Sequence, residues 1–269
     1  MAAALNVTEP CNTGIGGDAF CLFYNASTKK VHALNASGRA PKSLSFETLK
    51  KEIGSSSEGE GIPPLTANAV TVPGAAAGWV DTVEKFGSGK LSLEQILTPA
   101  IEYAEKGFPV SEFSAYFWKR SEQLLKNASP NGAEILKKDG SEVRSPGPGE
   151  IMKNPTLANT FRLLAKEGKK GYYEGSVAEA LVKVLADKGG HMSLDDLHEH
   201  AEKGSEEPEA IMLNYKGQGV NAARGGVNVW EHPPNGQGVV ALIALGVLEE
   251  LEKTGKIGKW TAKDHNSVE

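Results

Sequence analysis

The sequence from Asn6 to Pro41 reads NVTEPCNTGIGGDAFCLFYNASTKKVHALNASGRAP, and the order of its residues predicts the local fold. A glycine-rich turn, Gly14–Asp18, leads into an apolar run, Ala19–Tyr24, that is typical of a strand. A second apolar run, Val31–Leu34, follows after the turn residues Asn25–Lys30. Two short apolar runs separated by a few turn residues predict an antiparallel hairpin.

Beyond the hairpin, helical spacing of apolar residues, serine N-caps and terminal glycines predict a series of helices. These are Phe46–Ile53, Gly74–Phe86, Ser92–Lys106, Glu112–Lys126, Thr156–Lys166, Val177–Lys188 and Leu194–His200. The composition of Gly54–Gly61 predicts a loop. Two further strands are predicted at Ile211–Tyr215 and Val227–Trp230, and the apolar start of a last helix, Val239–Leu251, predicts that it is buried. Strands at both ends with helices between indicate an α/β chain, residues 1–269, that forms a single domain with a helical excursion in its middle.

Composition excludes several classes of protein. The 269 residues carry a net charge of −5, and the dispersed basic residues do not favour nucleic-acid binding. The longest apolar stretch, Val239–Leu248, is too short to span a membrane, and Met1–Leu5 lacks the features of a signal peptide, so the localisation stays open. The two cysteines, Cys11 and Cys21, allow one disulfide, although Cys21 lies in a predicted strand and is expected to be a small buried thiol.

The turn Gly14–Gly17 could in principle bind an anion through its backbone N–H groups. However, it leads into a strand, and the lysine-containing pattern of a phosphate-binding loop is missing. We therefore interpret its glycines as allowing close backbone approach, with no nucleotide cofactor.

Three histidines and three acidic residues form a possible metal cluster: His191, His198, His200, Asp195, Asp196 and Glu199. The spacing H-x-H on a helix directs the two rings to different sides, unlike an i, i+4 pair of metal ligands. Because the segment is polar all round, a solvated helix without a metal is the preferred interpretation.

Three segments, in this order, resemble the gamma-glutamyltransferase family, also called glutathione hydrolases: Gly14–Pro41, Val70–Trp79 (VTVPGAAAGW) and Pro233–Gly238 (PPNGQG). The resemblance implies an N-terminal nucleophile hydrolase, whose fold is an αββα sandwich. This chain would form part of that sandwich, as an incomplete domain from the large subunit. The segment Pro233–Gly238 is expected to be structural.

The resemblance also implies a reaction. Family members cleave or transfer the gamma-glutamyl group of glutathione, need no metal or organic cofactor, and cut themselves into a large and a small subunit. A new N-terminal threonine is the nucleophile, and its own amine is the base. The family's Thr-Thr-His signature does not occur in residues 1–269, so no catalytic residue is assigned. We expect an internal fragment that is inactive alone, and Gln218–Gly226 has the appearance of an insertion or a mis-predicted exon boundary.

In the family, an arginine near the end of the second strand holds the α-carboxylate of the substrate. Ser37 stands at that place here, and Arg39 follows two positions later. The resemblance therefore implies that Arg39 and Ser37 bind the substrate. Two alternatives stay open: a changed acyl specificity, as in a cephalosporin-acylase-like amidase, and a structural Arg39 paired with a core carboxylate. A further interpretation is that the chain is a catalytically silent scaffold fragment or a gene-model artefact.

Overall fold

A computed structural model describes residues 1–53, 61–63, 65–129 and 131–258 as a mixed α/β chain. The helices are α1 (Ala2–Thr8), α2 (Phe46–Ile53), α3 (Ala75–Phe86), α4 (Leu93–Lys106), α5 (Glu112–Ala128), α6 (Pro155–Glu167), α7 (Lys170–Tyr173), α8 (Gly175–Ala186), α9 (Leu194–Lys203) and α10 (Val239–Lys253). The strands are β1 (Ala19–Asn25), β2 (Lys30–Ala36), β3 (Phe108–Pro109), β4 (Lys137–Asp139), β5 (Glu142–Arg144), β6 (Ile151–Met152), β7 (Ile211–Tyr215) and β8 (Val227–Glu231).

The predicted hairpin is confirmed, because β1 and β2 are hydrogen-bonded neighbours in one two-stranded sheet. The predicted helices are present, with ends that differ from the predicted ones by up to three residues. The short pairs β3–β6 and β4–β5 were not predicted, because strands of two or three residues leave no alternating pattern. All but one residue of the loop predicted at Gly54–Gly61 lies outside the described residues.

The chain divides into two compact units. Unit 1 consists of Met1–Ala19 and Ala36–Ser205, and unit 2 consists of Phe20–Asn35 and the described residues of Glu206–Glu269. The expectation that 1–269 forms one incomplete domain stays a prediction.

The core of unit 1 is built on α4 and α6, which pack against each other. Small side chains such as Ala104 and Ala158 are fully buried there, so the two backbones approach closely, and Phe161 and Leu164 fill the space around them. Burying a phenylalanine or leucine side chain stabilises a fold by about 1.5–3 kcal/mol. This core holds the short α7 and α9 in place, and these two helices contact each other.

In unit 2, β7 and β8 form an antiparallel hairpin with Tyr215 opposite Val227, and α10 packs on this hairpin. The segment Gln218–Gly226 lies in the connection between these strands, where an insertion has a small cost in loop entropy. The prediction that the last helix is buried is wrong for the described residues, since none of the residues of α10 is buried. The hairpin covers only part of this helix, so that Val240 and Ile243 are 60% and 59% exposed.

No helix among the described residues is long and apolar enough to cross a lipid bilayer. Cys11 and Cys21 do not form a disulfide, and Cys21 is only half-buried, so the prediction of a buried thiol is wrong. Cys21 lies on the less exposed face of β1, but no residue of this strand is buried.

Candidate functional site

Three segments that sequence analysis singled out meet in unit 1. The turn Gly14–Asp18, the segment Ser37–Pro41 and the segment before α3 are joined by backbone hydrogen bonds. Val72 N donates to Arg39 O at 2.9 Å, and Gly74 N donates to Gly17 O at 3.0 Å. The site is therefore built largely from backbone, which fixes the loop that carries Arg39.

The first turn of α3 has no side-chain cap, because Gly74 occupies its N-cap position and alanines follow. The orphan N–H groups at a helix start need other acceptors. Gly17 O accepts from the N–H of Ala75 at 2.8 Å, as it does from Gly74, and Tyr173 Oη accepts from Ala77 N at 3.0 Å. The helix start is thus capped by groups that are distant in the sequence.

Close backbone approach occurs at Gly38 and Gly74. A Cβ atom at Gly38 would lie 2.0 Å from Val72 O, and one at Gly74 would lie 2.1 Å from Ala36 O. By contrast, a Cβ atom at Gly14 or Gly16 would meet nothing within 4 Å. The prediction that the glycines of the turn allow close approach is therefore wrong for these two positions.

Asp18 anchors the start of the segment Ser37–Pro41. Its Oδ1 accepts from Gly38 N at 2.7 Å, and its Oδ2 accepts from Ser37 Oγ at 3.3 Å. The Ser37 hydroxyl therefore serves the loop through a long hydrogen bond, while the backbone of Gly38 makes the shorter one.

Arg39 is half-buried, and its Nη1 lies 2.9 Å from Nδ1 of His200. A guanidinium only donates hydrogen bonds, so Nδ1 of His200 is the acceptor and the ring carries its proton on Nε2. Burial lowers the pKa of His200 to about 4, and the positive charge of Arg39 acts in the same direction. The histidine is therefore neutral at pH 7.

Helix α9 holds the residues after Arg39 as well. Asp196 Oδ1 accepts from Lys42 N at 3.0 Å, and Lys42 Nζ forms an ion pair with Glu199. The prediction that this helix is solvated on all sides is wrong, because Asp196, Leu197 and His200 are buried. Residues 196 and 200 lie one turn apart, so they face the same segment.

The histidine cluster does not come together. His200 is 2% exposed against Arg39, His198 is exposed, and His191 Nε2 pairs with Glu52 Oε1 at 2.9 Å. Among the described residues, no group of three or more histidine, cysteine or acidic side chains is arranged to hold a metal ion.

Tyr173 supports the start of α3 from within the core. It is fully buried, it donates to Pro73 O at 2.6 Å, and it accepts from Ala77 N. Burial raises the pKa of the Tyr173 phenol, so the group stays protonated and can donate. We expect Tyr173→Phe to lower the free energy of unfolding by about 1–3 kcal/mol, since it leaves buried backbone groups without partners.

Urea unfolding checks this prediction, with Tyr116→Phe as the control. Tyr116 is 56% exposed, so loss of its hydroxyl should change stability by less than about 0.5 kcal/mol. Equal stability of the two variants would show that the Tyr173 hydroxyl does not hold α3.

The comparison that decides the family concerns the whole chain. The sequence model of the gamma-glutamyltranspeptidase family matches residues 1–269. The chain belongs to this family. The segments that meet at Arg39 belong to two of the three stretches in which the sequence resembles it, Gly14–Pro41 and Val70–Trp79.

Relatives in the family carry different names. A glutathione hydrolase-like YwrD proenzyme of Bacillus subtilis is 32% identical over 94% of this chain and 44% of its own length. A glutathione hydrolase proenzyme of the same organism is 32% identical over 92% of the chain and 39% of its length. An oxamate amidohydrolase proenzyme of Klebsiella pneumoniae is 31% identical over 93% of this chain and 44% of its own length. The chain thus spans less than half the length of these relatives.

Solved structures in the family have the same fold. Gamma-glutamyltranspeptidase of Helicobacter pylori superposes with a TM-score of 0.76 at 26% identity, over 93% of this chain and 66% of that one. Cephalosporin acylase of Bacillus halodurans superposes with a TM-score of 0.74 at 35% identity, over 91% of this chain and 42% of that one. The chain is therefore similar to solved proteins whose names indicate different substrates.

Sequence reasoning proposed Arg39 and Ser37 as binding residues but missed the side chains that contact their loop. Asp18 directly follows the glycine turn, and that position was the available signal for a loop anchor. Asp196 and His200 are spaced four apart, which was the signal for a common face of α9. No local signal marks Tyr173, whose partners lie about 100 residues away.

Proposed function

We propose that this chain is the part of a gamma-glutamyltransferase or glutathione hydrolase that binds the carboxylate of the gamma-glutamyl group, through Arg39. The observation that carries the proposal is the position of Arg39, in a loop that is fixed by backbone bonds and by α9, in a chain that matches the family along its whole length. A guanidinium held in this way is suited to gripping a carboxylate with two parallel hydrogen bonds.

The chemistry requires a nucleophile that residues 1–269 do not supply in the form of the family signature. We infer that a small subunit, made by self-cleavage, brings the N-terminal threonine, whose amine accepts the proton of its hydroxyl as it attacks the amide. No metal or organic cofactor takes part in this proposed mechanism. The chain alone is then an inactive fragment.

Exposed apolar surface in unit 2 supports such a partner. On β1, Phe20, Leu22 and Tyr24 are exposed on the same side of the strand, at 42%, 38% and 58%. On α10, Val240 and Ile243 are exposed as well. Large apolar surfaces of this kind mark interaction sites. Covering them with a sheet and helices from the small subunit would complete the αββα sandwich.

A second candidate function is that of an amidase for acyl groups without the α-amino group. It is favoured by Ser37 at the place of the family's arginine and by the 35% identity to a cephalosporin acylase. In this case Arg39 would still bind a carboxylate, but that of a dicarboxylic acyl chain such as glutaryl.

A chimera tests both candidates. In the chimera, this chain is joined at its C-terminal end to the part of the Bacillus subtilis glutathione hydrolase-like YwrD proenzyme that lies beyond the region it matches. Self-cleavage of the chimera is monitored by gel electrophoresis. We expect release of p-nitroaniline from gamma-glutamyl-p-nitroanilide by the cleaved chimera and none by the chain alone.

Preference for glutaryl-p-nitroanilide would instead establish the amidase. A cleaved chimera that turns over neither substrate would reject both candidates. The matched control is a chimera in which the threonine that would become the N-terminus of the small subunit is replaced by alanine. This control should be inactive. Turnover by the purified chain alone would contradict the proposal that it lacks the nucleophile.

A further inference from the structure

We infer that His200 is a positioning residue that orients the guanidinium of Arg39 toward the carboxylate of the substrate. The inference rests on the proposed function and deepens it, because it assigns the residue that sets the geometry of the carboxylate site. His200 itself does not touch the substrate in this scheme. It acts through the hydrogen bond from Arg39 Nη1 to its Nδ1, at 2.9 Å.

The first argument is that the ring itself is held rigidly. His200 is 2% exposed and lies on α9, and its ring centroid is 5.5 Å from that of Tyr173. Tyr173 is in turn fixed by hydrogen bonds to Pro73 and Ala77. The acceptor that meets Arg39 therefore has little freedom, and this is the property required of a group that orients another.

The second argument concerns charge. A carboxylate at this position would form an ion pair with Arg39 and would reduce the attraction of the guanidinium for a carboxylate substrate. A neutral imidazole accepts a hydrogen bond and brings no negative charge. His200 thus fixes the direction of one N–H group without itself adding a negative charge beside Arg39.

The third argument is that the contact is difficult to explain by packing alone. An apolar side chain of similar volume would fill the space against Tyr173 without the cost of burying two ring nitrogens. A histidine at this position is useful because it presents an acceptor to Arg39. Its removal would take away the acceptor that Nδ1 presents to Nη1 of Arg39.

Charged groups on every neighbouring element determine the pH dependence. Arg39 and Lys169 disfavour the protonated ring, whereas Asp81 on α3 and Asp18 in the glycine turn favour it, and burial is the largest influence. The folded-state pKa of about 4 lies below the unfolded value. The stabilising contribution is therefore present above the unfolded pKa and is lost as the pH falls toward 4, where Nδ1 gains a proton and can no longer accept from Arg39.

A spectroscopic test needs only the chain and no activity. In a long-range 1H–15N correlation spectrum, His200 is assigned by its loss in His200→Gln. We expect the tautomer protonated on Nε2 at pH 7, a titration midpoint at least one pH unit below 6.5, and a shifted Nδ1 resonance in Arg39→Met. A ring protonated on Nδ1 at pH 7, or an Nδ1 resonance that Arg39→Met leaves unchanged, would overturn the inference.

A kinetic test uses the active chimera. We expect His200→Leu to raise the KM for gamma-glutamyl-p-nitroanilide about tenfold with kcat nearly unchanged, because a misdirected guanidinium weakens binding in the ground state and the transition state alike. His200→Gln keeps a hydrogen-bond acceptor, so its KM should lie close to that of the unchanged chimera. His198→Leu is the control, because His198 lies on the exposed side of the same helix.

The outcomes separate the two proposals. A KM that rises in Arg39→Met but not in His200→Leu rejects the positioning role and leaves the carboxylate contact in place. A KM that changes in neither variant rejects the carboxylate contact and, with it, the role of His200. An equal rise in KM in His200→Leu and His200→Gln would overturn the inference, because it would show that the side-chain volume at this position matters and the hydrogen-bond acceptor does not.

Discussion

Arg39→Ala is expected to raise the KM of the active protein for gamma-glutamyl substrates about 10- to 150-fold. Loss of a charge-assisted hydrogen bond costs about 1.5–3 kcal/mol, and each 1.4 kcal/mol corresponds to about a tenfold change in binding. Arg39→Lys keeps the charge but loses the planar fork, so that most of the effect should persist. The effect should appear in KM if substrate and transition state use the contact equally.

Initial rates over a range of substrate concentrations in the chimera check this expectation. Ser37→Ala is the comparison variant and should have a smaller effect, since the 3.3 Å bond from Ser37 to Asp18 is backed by the shorter one from Gly38 N. Unchanged kinetics in both Arg39 variants would show that the residue is structural.

Gly74→Ala is expected to lower the stability of the fold strongly. Its Cβ atom would lie 2.1 Å from the carbonyl oxygen and 2.8 Å from the carbonyl carbon of Ala36. Both are backbone atoms, so relieving the clash requires the backbone at Ala36 or at Gly74 to shift. Such overpacking costs about 1–3 kcal/mol, and the hydrogen bond from Gly74 N to Gly17 O is strained in addition.

Urea unfolding monitored by tryptophan fluorescence, to which Trp79 on α3 contributes, measures this change. Gly16→Ala provides a matched control, because an added Cβ there meets nothing within 4 Å. The control should unfold within about 0.5 kcal/mol of the original chain. If the two variants were equally stable, the close contact between Gly74 and Ala36 would not exist in solution.

Local signals predicted much of the fold. The hairpin of β1 and β2 follows from apolar runs and turn residues that are close in the sequence, and the predicted N-cap residues Ser92 and Ser193 mark the starts of α4 and α9 correctly. These features depend on neighbouring residues. The buried face of α9 was not predicted, because its buried residues include Asp196 and His200, whose partners lie more than 150 residues away.

The candidate site was predicted in part. Arg39 and Ser37 came from the resemblance to the family, and their role in substrate binding stays a prediction. The burial of α10 was predicted wrongly because an apolar sequence indicates that a surface needs a partner, and does not say which part of a protein supplies it.

The cap of α3 has a consequence for the order of events during synthesis. Tyr173 must reach back across 96 residues to the N–H of Ala77. Ribosomes add about 5–20 residues per second, so α3 leaves the ribosome roughly 5–20 s before the residue that completes its first turn. During that interval only Gly17 is available as a cap, and the alanine-rich start of the helix exposes apolar surface.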